Sequence, residues 1–118
     1  MAWARACSSA ELVDQTPLGV VVDDVAVCLV QIGEEVFAVH DECTHEEVPL
    51  SEGEVEDGSI ECWRHGSRFD LRTGDVLNPP ALKPVMVYPA RVVDAEVQVD
   101  VGRFRRGCAD GGGRGRSG

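Results

Sequence analysis

Polar and apolar positions alternate over short distances along this chain, and helical spacing is almost absent. Residues 18–22 and 25–32 are runs of β-branched and aliphatic side chains separated by Asp23-Asp24, which predicts a hairpin, and 36–39 continue it antiparallel after Gly33. Residues 59–62, 68–71, 85–88, 90–93 and 96–101 extend the series with turn residues between them. In the last run an acid or amide alternates with Val (Glu96, Val97, Gln98, Val99, Asp100, Val101), the period of a half-buried strand. Residues 3–7 predict a first edge strand, and Ser8-Ser9-Ala10-Glu11 has the capping-box pattern, enough for one helical turn before Thr16-Pro17. Short strands without long helical stretches predict an all-β fold, a small antiparallel sandwich or barrel.

Composition changes this picture at one end. Aromatics are only 5% of the 118 residues, so Val, Leu, Ile and Ala must supply the packing of one domain, expected over 1–102. Residues 103–118 are dominated by Gly and Arg, cannot bury apolar surface, and are expected to form a disordered, solvated tail. Charge divides the same way. Residues 1–102 carry 6 Lys/Arg against 20 Asp/Glu, whereas the last sixteen carry 5 Arg and 1 Asp, giving a net charge of -10 overall. That balance argues against nucleic acid as a partner. Between Glu34 and Glu61 there are 11 acidic residues and no Lys or Arg. Such a run is ordinarily a solvated face, and it equally suits steering of a basic partner. The N-terminus lacks a signal-peptide h-region and no apolar run approaches a membrane span, so a soluble cytoplasmic protein, without membrane association and monomeric, is expected. In a reducing compartment the five cysteines are expected as thiols or metal ligands rather than bridges.

Candidate chemistry concentrates between Cys43 and Asp70. Cys43-Thr44-His45 and Cys62-Trp63-Arg64-His65 each offer one sulfur and one imidazole from adjacent backbone, and sixteen residues separate His45 from Cys62. Turn signals at Gly53 and at Asp57-Gly58 flank a short strand within that gap, so two loops at neighbouring strand ends can face one site. Zinc accepts such a donor set, but its finger grammar pairs Cys with Cys and His with His. One residue of each kind per loop suits a [2Fe-2S] cluster with two cysteines on one iron and two histidines on the other, which the spacing favours over zinc.

With Gly66-Ser67-Arg68-Phe69-Asp70 and Thr73-Gly74 following, these two motifs resemble the signature of Rieske iron-sulfur domains. The resemblance covers about residues 3–101 and is strongest to small soluble ferredoxins that serve bacterial ring-hydroxylating oxygenases, and to related actinobacterial ferredoxins associated with cluster assembly. It implies a Rieske-like β fold whose cluster-binding subdomain is formed by two loops. Cys43 and Cys62 would hold the inner iron and His45 and His65 the outer one of a single [2Fe-2S] cluster. Trp63, Gly66, Ser67 and Pro80 would surround it, with Asn78-Pro79-Pro80 as a covering loop. The implied role is transfer of single electrons from a flavin-dependent NAD(P)H reductase to a terminal oxygenase by transient electrostatic docking. Respiratory relatives carry a second cysteine pair and a tyrosine donor, at positions that here hold Val48, Arg64 and Phe69, and only Ser67 keeps a matching donor. A reduction potential at the low end of the roughly -150 to +300 mV Rieske range is therefore expected.

Two other readings use the same residues. A cluster-assembly or redox-sensing protein keeps the cluster and changes its partner, whereas a structural Cys2His2 zinc module is colourless and redox-silent. An oxygenase needs a further mononuclear iron with two His and a carboxylate, and of three histidines in all, two are committed to the cluster, which leaves one where two are needed. The chain is thus expected to be an electron carrier, not catalytic by itself. Cys7 and Cys28 read as buried small hydrophobes, Cys108 as an incidental tail thiol, His40 as a satisfied structural histidine, and Trp63 as either packing or a docking contact.

Overall fold

A computed structural model describes residues 3–44, 48–64, 66–79 and 83–102. Eleven strands are found among them: β1 (Ala4–Ser8), β2 (Leu18–Val22), β3 (Val25–Ile32), β4 (Glu35–His40), β5 (Glu54–Glu56), β6 (Ser59–Glu61), β7 (Arg68–Asp70), β8 (Val76–Asn78), β9 (Val87–Tyr88), β10 (Ala90–Val93) and β11 (Glu96–Val99). They form three antiparallel sheets, ordered β1-β11-β10, β2-β3-β4-β9 and β5-β6-β7-β8. The expected hairpin of β2 and β3 forms in full register, with Val22 opposite Val25 and Leu18 opposite Leu29. Its turn residues Asp23 and Asp24 both have positive φ, the two-residue geometry whose twist matches that of the flanking strands. Asp94 and Ala95 make the same turn between β10 and β11. The expected N-terminal helical turn is a 3-10 turn over Ser9–Glu11, with both hydrogen bonds of the capping box in place.

The middle sheet is buried on both faces, which explains why β3 reads as a nearly continuous apolar run. Val27, Leu29 and Ala38 point to one side, into a cluster with Cys7, Tyr88, Val97 and Val99 beneath the β1-β11-β10 sheet. Cys28, Val30 and Val39 point to the other, into a cluster with Ile60, Phe69, Leu71 and Val85 beneath the β5-β6-β7-β8 sheet. Period-two alternation along β3 thus distributes side chains between two cores. Cys28 is fully buried, and burial pushes its thiol far up from the ordinary range, so it stays protonated and unreactive. Cys7 is also buried, in the opposite core.

The sequence reading differs from the fold in the third sheet. Val76–Asn78 forms β8 on its edge, a strand not expected from the sequence, so Asn78, expected in the covering loop, is instead the last residue of a strand. Pairing with β7 supplies what three residues cannot specify: Arg68 faces Asn78 and Phe69 faces Val76 across an irregular register. The predicted strand over 85–88 shortens to β9, and that over 96–101 ends at Val99. The predicted tail, with Cys108, lies outside the described residues. Among the described residues no helix is long and apolar enough to cross a membrane.

Candidate metal centre

Two loops at one end of the third sheet carry the predicted ligand motifs. The first follows β4, and its base is fastened twice. The Asp41 amide donates to the Ala26 carbonyl at 3.0 Å, and the Asp41 carboxylate accepts from the amide and the hydroxyl of Ser51, each at 2.7 Å. Within this loop the Cys43 amide donates to the Val48 carbonyl at 2.9 Å. The second loop connects β6 to β7, beyond the pairing of Glu61 with Arg68. Here the Cys62 amide donates to the Ser67 carbonyl at 2.7 Å, and the Gly66 amide donates back to the Cys62 carbonyl at 3.0 Å. Both cysteine amides are therefore bonded to the carbonyl five residues on, although Cys-x-His and Cys-x-x-His differ in spacing. Each closure fixes its cysteine at the root of a loop.

The two thiols are brought into one environment. Cys43 and Cys62 are 3% and 1% exposed, belong to the same apolar cluster with Val48, Leu50, Phe69 and Leu71, and are free of disulfide bonds. Two buried, unbridged sulfurs delivered by separate loops fit a group that takes one thiolate from each. His45, His65 and Pro80, the remaining predicted contributors, lie outside the described residues.

The surrounding residues divide by depth. Ser67 is fully buried and closes the second loop through its carbonyl; Phe69, two residues on in β7, fills the core without a hydroxyl. Gly66 adopts φ +82°, a conformation that a side chain would strain. Trp63 is 54% exposed, which places it on the surface beside Cys62 and not in the core. Two side chains tie the loops to the stretch between β8 and β9. The Thr44 hydroxyl donates to the Lys83 carbonyl at 2.7 Å, and the Asn78 side-chain amide donates to the Gly66 carbonyl at 2.9 Å. The stretch expected to cover the site is thus held at one end by the second loop and at the other by the first. Neither tie was legible in the sequence, since each joins positions distant along the chain.

The outer face of the third sheet beside the loops is acidic, and Arg68 is embedded in it. On the outer face of the third sheet Glu54 stands opposite Glu61 and Glu56 opposite Ser59. Arg68 reaches across that face, donating to Ser59 Oγ at 3.0 Å and to Glu61 Oε1 at 3.3 Å, with Glu56 Oε1 at 3.8 Å. His40 behaves as a satisfied structural residue: its Nδ1 lies 3.2 Å from the Tyr88 hydroxyl and its Nε2 3.5 Å from Glu42 Oε1. Burial raises the Tyr88 hydroxyl above its ordinary pKa and keeps it neutral in that contact.

The paired loops, the shared thiol environment and the three-sheet β fold fit an iron-sulfur protein of the two-loop class. The sequence model of the Rieske [2Fe-2S] domain matches residues 2–89, and the chain belongs to that family and carries one Rieske-type [2Fe-2S] cluster. It is 44% identical over 92 residues to the anthranilate 1,2-dioxygenase ferredoxin subunit of Burkholderia cepacia, a match that covers 78% of this chain and 85% of that one. The solved ferredoxin of carbazole 1,9a-dioxygenase from Nocardioides aromaticivorans IC177 superposes with a TM-score of 0.80 at 32% identity, covering 84% of this chain and 97% of that one. A chain from a complex of reduced oxygenase and oxidised ferredoxin in carbazole 1,9a-dioxygenase superposes with a TM-score of 0.75 at 30% identity, covering 82% of this chain and 91% of that one.

Proposed function

We propose that this protein is the ferredoxin of a ring-hydroxylating oxygenase system, carrying one electron at a time from a flavin-dependent NAD(P)H reductase to a terminal oxygenase in the cytoplasm. Cys43, His45, Cys62 and His65 are its proposed ligands, and the chain itself transforms no organic substrate. The observation that carries this reading is the burial of Cys43 and Cys62, unbridged, in one apolar cluster at the roots of two identically closed loops. The similarity to dioxygenase ferredoxin subunits supports the choice of partners.

When bound, the cluster supplies a one-electron couple whose two thiolate ligands, in place of four, make the reduced state easier to reach than in plant-type ferredoxins. The protein's own residues do the rest. The buried cysteine roots exclude water from the sulfur side. The Thr44 and Asn78 ties hold the loops against the β8–β9 stretch, so that transfer requires little rearrangement. Exposed Trp63 and the acidic face of Glu54 and Glu56 offer a contact for a basic partner near the second loop.

The test is EPR of anaerobically purified protein after dithionite reduction, with iron and acid-labile sulfide counted on the same sample. An S = 1/2 signal of low average g is expected, and His65→Cys is expected to retain cluster at a lower potential with an altered spectrum. An unchanged His65→Cys spectrum removes the ligand assignment. Stoichiometric zinc with no signal returns the chain to the structural class.

A further inference from the structure

We infer that Asn78 is a positioning residue for the second ligand loop, a role that rests on the cluster reading above. Asn78 is the last residue of β8, the edge strand of the third sheet, and stands opposite Arg68, the first residue after the loop. From there its side-chain amide donates to the Gly66 carbonyl at 2.9 Å. The loop's internal bonds engage the carbonyls of Cys62 and Ser67, so the Gly66 carbonyl is held by a group from another strand. Gly66 directly follows His65 and has φ +82°, a conformation in which glycine's wide freedom must be restrained by contacts rather than by its own sterics. Fixing its carbonyl fixes the return leg of the loop, from Gly66 into β7. The same residue begins the stretch running to Lys83, whose carbonyl is held by Thr44 of the first loop. Asn78 and the Lys83 carbonyl thus each engage one of the two loops.

A donor in this position is separable from shape. Asn78→Leu keeps much of the volume without the donor, Asn78→Ser is too short to reach, and Asn78→Gln keeps an amide. The full-length holoproteins are compared by loss of visible absorbance under excess chelator, by hydrogen exchange of a peptide spanning residues 61–68, and by EPR line width after reduction. Losing one hydrogen bond is expected to speed bleaching and loop exchange about fivefold in N78L and N78S. EPR lines should broaden as the imidazole orientation spreads, and N78Q should recover at least half of each change. Wild-type bleaching, exchange and line width in both N78L and N78S overturn the inference, as does an N78Q protein indistinguishable from N78L. Iron and sulfide counts on the same samples separate the two readings: zinc in their place overturns the cluster, while the exchange comparison still decides the role of Asn78.

Discussion

At the scale of single residues, the most instructive contact lies away from the metal centre. Arg72, in the turn after β7, forms a two-pronged pair with Glu35 at the start of β4, with N–O distances of 2.9 and 3.3 Å, and its guanidinium lies 5.0 Å from the centre of the Phe37 ring. One side chain thereby links the third sheet to the middle one. The Arg72 hydrogen bond, reinforced by its charge, holds the Glu35 carboxyl below its ordinary pKa. A lowered folded-state pKa means that the stabilisation is complete above the unfolded value of about 4.3 and is lost as pH falls through the folded value. Glu35→Gln should therefore be less stable than wild type in urea at pH 7, and the gap should close as pH falls through the lowered Glu35 value and wild-type Glu35 takes up its proton. A stability gap unchanged by acid would show that the pair contributes nothing through charge.

At the scale of elements, the third sheet depends on how its turns meet the middle sheet. Gly74 has φ +83° and its carbonyl accepts from the Val85 amide at 2.9 Å. A Cβ there would fall well inside contact distance of the Val85 carbonyl oxygen and would crowd the Val87 side chain. Val85 shares the apolar cluster with both site cysteines. Gly74→Ala is thus expected to destabilise the fold by about 2–4 kcal/mol, since left-handed strain and a backbone clash add. It should also loosen the metal centre, seen as a lower thermal midpoint together with faster bleaching under chelator. The element scale also shows where local pattern stops being informative. The β2–β3 hairpin was legible because two long β-branched runs flank a two-residue turn. β8 was not, because Val76-Leu77-Asn78 carries too little pattern and becomes a strand only by pairing with β7.

At the scale of the molecule, the proposed docking of partners is a question of charge and exposure. The -14 of residues 1–102 makes electrostatic steering of a cationic redox partner the expected mode of encounter. The rate of electron transfer to a basic acceptor protein should fall about tenfold or more between 10 and 300 mM salt, as screening lengths drop below the size of the interface. The double substitution Glu54→Gln and Glu56→Gln, on the outer face beside the second loop, should flatten that dependence in stopped-flow traces. A rate indifferent to salt in wild type would sink the electrostatic account and leave exposed Trp63 to carry recognition.

The sequence by itself determined the class of fold and pointed to the donor set proposed for the centre. Alternation, turn residues and β-branched runs are local signals, and two short Cys/His motifs carry their donor set within four residues of chain. It also indicated that Cys28 would be a buried small hydrophobe, because it sits inside a run of apolar residues. Only the tertiary structure decided which surfaces meet. That β3 is buried on both faces, that Cys43 and Cys62 share one apolar cluster, and that Asn78, Thr44 and Arg72 fasten separate elements are consequences of packing between segments far apart in sequence. A hydrogen bond between Asn78 and Gly66 leaves no trace in the local pattern of either, because its energy depends on a separation that only the folded chain sets.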